Sequence, residues 1–132
     1  MSLKIMLKPN EKIFIGGAVI RNGQTHSTFF VENQARILRE RDIMREEDAN
    51  SPCKQIYFVI QLMYMDEGSL AQYHTAYWKI VNELTESVKS MSVYVTEISE
   101  YLLSANYYKA LKTAKKMIAY EKELIDHATG QL

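Results

Sequence analysis

Residues 69 to 129 contain neither glycine nor proline, the two residues that most often interrupt a helix. Large apolar residues recur in this stretch at alternating spacings of four and three: Tyr77, Val81, Leu84, Val88, Met91, Val95, Ile98 and Leu102. This heptad pattern places all of its members on one face of a helix. It predicts one long helix that ends near residue 103 and is buried along that face. The serines of the segment SVKSMS, residues 87–92, are able to bend or split it.

Two shorter helices are predicted, one on each side of the long helix. In the segment NSPCKQ, Ser51 can cap a helix and Pro52 suits its first position, where the missing N–H costs nothing. The last helix follows the turn SANY and presents an apolar face: Ala110, Leu111, Ala114, Met117, Ile118 and Leu124. At ~1.5 Å per residue the two shorter helices together match the long one, so we expect each to pack antiparallel on one part of it.

Residues 3–43 follow a different pattern, in which short β-branched and aromatic runs alternate with turn signals. The runs LKIML, KIFIGGAVI, STFFV and ARILRERDI predict a small antiparallel sheet of four or five strands. Asn22 and Gly23 suit a tight hairpin turn, because both residues tolerate positive φ. The sequence therefore predicts an α+β protein. Its small N-terminal antiparallel β module, residues 1–48, precedes a helical hairpin or bundle, residues 49–132, with one long central helix.

The residues present give little support to catalysis or metal binding. His26, His74 and His127 are far apart, and none stands at metal-ligand spacing with another ligand, so we predict no metal and no cofactor. Because no catalytic Ser/His/Asp or Cys/His signature occurs, we do not expect an enzyme. The single cysteine, Cys53, fits a buried position in a reducing compartment. No apolar run approaches the ~20 residues of a membrane span, which predicts a cytoplasmic protein without a membrane partner.

The arginines are confined to one part of the chain: Arg21, Arg36, Arg39, Arg41 and Arg45. Because the formal net charge is zero, a polyanion can be bound only by a local basic patch. Residues 1–45 form such a basic segment, with eight Lys and Arg residues against four acids. If residues 36–43 form a strand, Arg39 and Arg41 share a face about 6.6 Å apart, close to the phosphate repeat of an extended RNA strand. The alternative is internal pairing with acids, and the residues alone leave both interpretations open. The acids concerned are Glu40, Asp42, Glu46 and Glu47.

Two further groups of residues have simpler interpretations. The aromatic residues of the helices, such as Tyr73 and Tyr77, fit ordinary packing, with a groove for a partner as the alternative. Lys112, Lys115 and Lys116 fit a solvated helix face better than a binding site.

Four segments, LKPNEKIFIGGAVIRNG, LRERDIM, IYFVIQLMYMD and YYKALKTAKKMIAYE, together resemble the FlbT family of regulators of flagellin synthesis. The resemblance extends from about residue 3 through the last helix. It implies post-transcriptional control, in which the protein binds the 5′ untranslated region of flagellin mRNA and represses translation or promotes decay. Members of the family differ in the sign of regulation, so the sign is not carried over to this chain.

LKPNEKIFIG and LRERDI are also similar to the first strands and the last strand of the carbon storage regulator family, small β-rich proteins that clamp mRNA leaders. In that comparison Lys8 stands where the family has a basic residue at the end of its first strand. The last strand departs from the pattern, because Glu40 occupies the position of the RNA-binding arginine, with Arg39 and Arg41 on either side. A shift of one residue in register, or an arginine on the opposite face, would account for the departure.

Two functional hypotheses remain: the resemblances and the concentration of arginine favour the first, and the heptad pattern with its tyrosines favours the second. The first is a regulator that binds the flagellin mRNA leader through basic residues of its β module: Lys8, Arg21, Arg36, Arg39, Arg41 and Arg45. The second is an adaptor that binds a flagellin-specific regulator or chaperone protein through its helices, with RNA contact indirect. A homodimer formed through the sheet edge or the long helix is compatible with both.

Overall fold

In a computed structural model, which describes residues 2–129, the chain forms two compact units, one ending at Ile43 and one beginning at Met44. Across these residues the first unit is built of β-strands and the second of α-helices, so the predicted α+β class is confirmed. The strands are β1 (Leu3–Leu7), β2 (Lys12–Ile15), β3 (Ala18–Arg21), β4 (Ser27–Val31) and β5 (Ile37–Arg39). The helices are α1 (Pro52–Met65), α2 (Leu70–Ser87), α3 (Ser92–Leu103) and α4 (Tyr107–Ala128).

The strands form two antiparallel sheets instead of the single sheet that the sequence predicts. One sheet pairs β1 with β4, and the other has the order β3-β2-β5. Because alternate residues of a strand point to opposite faces, Ile5 and Leu7 of β1 share one buried face, whereas β2 buries a residue on each of its faces, Ile13 and Phe14. The core of the unit contains Ile5, Leu7 and Ile13, with Phe29 and Ile37 among the residues packed against it.

The tight hairpin turn lies at Gly16 and Gly17, so its prediction at Asn22 and Gly23 is wrong. Gly16 and Gly17 have φ angles of 54° and 98° and connect β2 to β3. Two successive residues with positive φ give the turn whose twist matches the flanking strands. Gly23 is not among the residues with positive φ in the described part of the chain.

Asn22 acts through its side chain, which connects three strand ends. Its Nδ2 group donates to the carbonyl oxygens of Leu7 (3.3 Å), Lys8 (2.8 Å) and Thr25 (2.9 Å). Its Oδ1 atom accepts from the Gly23 N–H (2.9 Å) and from the hydroxyl of Ser27 (2.7 Å). Since Leu7 ends β1, Ser27 begins β4 and Asn22 itself follows β3, one amide holds parts of both sheets together.

β5 is shorter than the predicted strand of residues 36–43, because it ends at Arg39 and Glu40–Asp42 forms a 3-10 turn. Arg41 therefore leaves the strand, and its predicted place on one strand face with Arg39 is wrong. A contact with a distant part of the chain accompanies the turn. The Glu40 carboxylate accepts the backbone N–H of Lys12 at 2.7 Å, which binds the chain to the start of β2, where the β-ladder ends.

The heptad residues are buried as predicted, but the helix that carries them is split. Each of the following is at most 8% exposed: Tyr77, Val81, Leu84, Met91, Val95, Ile98 and Leu102. Val88 is only half-buried and has extended backbone angles (φ −134°, ψ 92°), and a 3-10 turn, Lys89–Met91, leads into α3. The Ser92 hydroxyl donates to the carbonyl of Lys89 at 2.8 Å, and such hydroxyl groups compete with helical hydrogen bonding.

The start of α1 at Pro52, with Ser51 as its cap, is confirmed. The Ser51 hydroxyl oxygen accepts the Lys54 N–H at 3.3 Å. Glu121 of α4 completes this cap, because its carboxylate accepts from the Ser51 hydroxyl (2.6 Å) and from the Cys53 N–H (3.2 Å). Cys53 is fully buried as predicted, and burial, followed by the nearby Glu121 carboxylate, raises the pKa of its thiol.

The helices pack largely as their lengths predict, with α1 against α2 and α4 against α3. In addition, α1 and α4 pack on each other, which closes the helical unit around one core. Within residues 2–129, no helix is long and apolar enough to cross a membrane.

Replacing Ala105 by glycine should stabilise the protein by about 0.5–1 kcal/mol. Ala105 has a φ of 57°, and the N–H groups of Ala105 and Asn106 donate to the carbonyls of Leu102 and Tyr101, a helix ending that normally uses glycine. Urea unfolding measures the change in the free energy of unfolding. As a control, glycine at the exposed position Ala119 inside α4 should lower that free energy by about 0.5–1 kcal/mol. A loss of stability in both variants would contradict the assignment of strain to Ala105.

Candidate functional site

A concave surface of the β unit brings together three of the six predicted site residues. It is a cavity of about 820 Å³ lined by residues 6–11, 26–28 and 39–41, which we name the basic groove. Lys8 enters it from the loop after β1, and Arg39 and Arg41 enter it from the end of β5 and the turn that follows. The pairing of β1 with β4 places residues 26–28 beside residues 6–8.

Arg39 is committed to contacts inside the β unit. Its Nη2 atom donates to the Met6 carbonyl at 2.6 Å and lies 3.7 Å from a carboxylate oxygen of Glu11. The other Glu11 oxygen accepts the Lys8 N–H at 2.9 Å. That backbone hydrogen bond is the largest cause that lowers the pKa of Glu11. Desolvation raises this pKa, and the charge of Arg39 lowers it further. Arg39 therefore shapes the wall of the groove and joins β5 to β1.

Lys8 and Arg41 supply the available positive charge. Both side chains are exposed, and neither forms an ion pair with any residue that the structure describes. The nearby Glu40 carboxylate bonds to the Lys12 N–H instead of to Arg41. The charge of Lys8 also helps to lower the pKa of Glu11, so an anion that enters the groove would meet the Arg41 guanidinium group and an ammonium group that lies near one carboxylate.

Arg21 reaches the rim of the groove from the end of β3. Its Nη1 atom lies 3.4 Å from the side-chain oxygen of Asn10, which lines the groove. Asn10 has a φ of 62°, and its N–H donates to the carbonyl of Gly23 at 2.8 Å. The loop after β1 is thus held close to the end of β3, and Arg21 adds a third cation at this edge.

Arg36 and Arg45 lie away from the groove. The Arg36 carbonyl accepts the N–H of Gly16 at 2.9 Å, which places Arg36 beside the β2–β3 turn, at the opposite end of β5 from Arg39. Arg45 belongs to the helical unit and lies 3.1 Å from carboxylate oxygens of both Glu47 and Asp48. These acids, Asp48 first, raise the pKa of Arg45. Arg45 is internally paired.

The sequence alone does not reveal the polar lining of the groove. Asn10, Ser27 and Thr28 belong to no binding motif, and the sequence offers His26 only for comparison with metal-ligand spacings. Residues 26–28 are about twenty positions from residues 6–8 in the sequence and meet them only through strand pairing, so no local signal could have found them. Among residues 2–129, no group of three or more His, Cys, Asp or Glu side chains is arranged to hold a metal ion.

Comparison with known proteins gives consistent matches along almost the whole chain. The family model described as "Flagellar protein FlbT" matches residues 3–125. "Probable flagellum biosynthesis repressor protein FlbT" from Rhodopseudomonas palustris is 41% identical over 125 residues, covering 95% of this chain and 98% of that protein. "Flagellum biosynthesis repressor protein FlbT" from Caulobacter vibrioides is 35% identical over 132 residues, covering 98% and 94%. No solved structure matches the chain.

Proposed function

The chain belongs to the FlbT family of flagellar proteins, and from this membership we propose that it regulates flagellin synthesis by binding the 5′ untranslated region of flagellin mRNA in the basic groove. Its relatives are named flagellum biosynthesis repressors, which supports a regulatory role in flagellar synthesis and not an enzymatic one. The proposed consequence of binding, in the cytoplasm, is lower translation or faster decay of the transcript.

The observation that carries this proposal is the pair of exposed cations, Lys8 and Arg41, which form no ion pair with a described residue and line a concave surface of a protein with zero net charge. A guanidinium group binds a phosphate through two parallel hydrogen bonds, and an ammonium group binds it as a point charge. With Arg21 at the rim, the groove has three cations available for the backbone of one strand.

The rest of the groove suits bases in a single strand. His26, Ser27 and Thr28 present hydrogen-bonding groups, and Met6, which is 62% exposed, provides an apolar surface against which a base can pack. Proteins read single-stranded RNA through such hydrogen bonds to base edges and through packing of unstacked bases. The groove thus offers both contacts to the backbone and contacts that can select a sequence.

The dependence of RNA affinity on salt tests the assignment. If Lys8, Arg21 and Arg41 contact phosphates, the slope of log K against log salt should be about −2, from ~−0.7 per contact on a single strand. Replacing Lys8 and Arg41 by glutamine should make the slope shallower by about 1.4. Fluorescence anisotropy with a labelled flagellin leader, measured across a salt series, gives both values.

The matched control replaces Arg36 and Arg45, two arginines outside the groove, by glutamine and should leave the slope unchanged. The site assignment would be wrong if the control variant alone changed the slope. Failure of the intact protein to bind the leader at any salt concentration would reject direct RNA binding.

A second candidate function is an adaptor that binds a flagellin-specific regulator or chaperone through the helices. It is favoured by apolar side chains exposed on the helical unit, among them Trp78 (45%), Leu103 (87%) and Tyr108 (44%). If the chain is an adaptor, it should bind the flagellin leader only after the partner protein is added. A homodimer is compatible with either function.

A further inference from the structure

The first four turns of α4 carry an unusual concentration of positive charge. Lys109, Lys112, Lys115 and Lys116 are all exposed, and we name them the α4 basic face. Residues 107–120 contain no acid. The helical unit therefore has one strongly basic surface, although the protein as a whole is neutral.

This arrangement lowers the stability of the helix that carries it. Side chains three and four positions apart are neighbours on a helix, so Lys112 is surrounded by Lys109, Lys115 and Lys116, and like charges at these spacings are unfavourable. The helix also has no acid in its first turn, where the helix dipole favours negative charge. A charge arrangement that destabilises its own helix without a compensating contact is expected at functional sites.

Three of the four lysines have no acidic partner: Lys109, Lys112 and Lys116 form no ion pair with any residue between 2 and 129. The carboxylate of Glu97, which reaches α4 from α3, accepts a hydrogen bond from Thr113 at 3.1 Å. The Lys112 ammonium lies 5.0 Å from the centroid of the Tyr108 ring.

An aromatic side chain borders the face, and an exposed apolar side chain lies shortly before the helix in the sequence. Tyr108 packs 6.3 Å, between ring centroids, from Tyr64 of α1 and remains 44% exposed. Leu103, four positions before the first residue of α4, is 87% exposed, the largest value among the exposed large hydrophobic residues of the described chain. A partner for this surface must therefore supply negative charge together with apolar contacts.

We propose that the α4 basic face, with Tyr108 and Leu103 at its edge, is a docking surface for a protein segment that carries acidic side chains interspersed with apolar ones. Charge complementarity selects an anionic partner, and a protein segment can place carboxylates against the lysines and apolar side chains against the exposed Leu103 and Tyr108 at the same time. The cations are all lysines, whereas arginine, the better residue for phosphate recognition, does not occur after Arg45.

A second copy of the chain does not fit this surface. Two copies related by a two-fold axis through α4 would bring eight lysines together, which is repulsive. The acidic residues Glu83, Glu86 and Glu100 lie on α2 and α3, so a second copy could meet these lysines only through a different pair of faces, and a dimer that is lost in the variant with Lys109, Lys112 and Lys116 replaced would overturn the proposal. The expected occupant is therefore a different protein. The proposal is independent of RNA binding by the β unit.

The test uses a labelled synthetic peptide of about 16 residues with a repeating Glu-Leu-Glu-Glu pattern, mixed with the full chain and followed by fluorescence anisotropy. The intact protein should bind it, and binding should weaken as salt is raised. Replacing Lys109, Lys112 and Lys116 by glutamine should weaken binding at least tenfold. The matched control replaces three lysines elsewhere on the helical unit, Lys54, Lys79 and Lys89, and should bind as the intact protein does.

Thermal melting separates docking from a structural role. Because the triple α4 variant removes repulsion between like charges, its melting temperature should stay the same or rise. A fall of several degrees would mean that these lysines support the fold, and would overturn the proposal. The variant with Lys8 and Arg41 replaced should keep peptide binding, so failure of the RNA proposal and failure of this one are distinguishable.

Three binding results would also overturn the proposal. The first is no binding of the acidic peptide by the intact protein, or equal binding of a peptide with every Glu replaced by Gln. The second is that the triple variant loses more affinity for a twelve-nucleotide polyuridine than for the peptide, which would place an RNA site on α4. The third is that it loses more affinity for phosphatidylglycerol vesicles than for the peptide, which would make α4 a membrane-binding surface.

Discussion

Replacing Asn22 by alanine is expected to open the β unit, with a loss of about 3–5 kcal/mol in its stability. The buried amide of Asn22 forms five hydrogen bonds that connect the ends of β1 and β3 to the start of β4. Alanine would leave three carbonyl groups, one N–H and one hydroxyl without that partner. Each buried polar group that loses its partner costs about 1–3 kcal/mol, reduced where water can enter.

Hydrogen exchange of the strand amides measures this effect without requiring the helical unit to unfold. Exchange in β1 and β4 should accelerate roughly a hundredfold or more, since about 1.4 kcal/mol corresponds to a factor of ten. Asn33, an exposed asparagine after β4, provides the control, and its replacement by alanine should change stability by no more than ~0.5 kcal/mol. Unchanged protection of the strands in the Asn22 variant would show that this amide is not the connection we describe.

The second large effect is expected in the helical unit, where Ile98→Ala should lower the free energy of unfolding by ~2–5 kcal/mol. Ile98 lies at the middle of the buried face of α3 and has no exposed surface. Removing three of its side-chain carbons loses apolar burial and leaves a cavity that neighbouring side chains fill only partly. Urea unfolding followed by far-UV circular dichroism and Trp78 fluorescence measures the change.

Two controls define the cause of this loss. Ile98→Val removes one methylene group and should cost ~0.5–1.5 kcal/mol, whereas the exposed Lys89→Ala should stay within ~0.5 kcal/mol. A loss below ~1 kcal/mol for Ile98→Ala would mean that the α3–α4 contact rearranges without a cavity, and that the heptad pattern overstates the packing at this position.

The two proposed binding surfaces use different basic residues of the chain. Arginine is confined to residues 21–45, and its groove members face a surface with polar hydrogen-bonding groups suited to single-stranded RNA. Lysine is concentrated on α4 beside exposed apolar side chains. A regulator that binds both a transcript and a protein would have these two kinds of surface. Replacing Lys8 and Arg41 tests the first surface, and replacing Lys109, Lys112 and Lys116 tests the second.

Much of the helical unit is readable in the sequence, because its signals are local. Ser51 and Pro52 mark the start of α1 through contacts within the next three residues, and the heptad spacing identifies which residues of α2 and α3 are buried. The break at Val88 is less visible. Ser and Thr hydroxyl groups near it give only a weak signal, and packing around Met91, which is 1% exposed, decides where the chain bends.

The sequence by itself determined the α+β class, the helix start at Pro52, the buried heptad face and the confinement of the arginines to residues 21–45. Only the tertiary structure decided which of those arginines remain available. Arg39 is bound to the Met6 carbonyl, 33 positions away in the sequence, whereas Arg41 forms no ion pair with a described residue, and the neighbouring Glu40 carboxylate accepts the Lys12 N–H. The physical reason is that helix periodicity and capping act within a few residues, whereas the partner of a charged side chain in a β unit is set by strand pairing, which brings distant segments together.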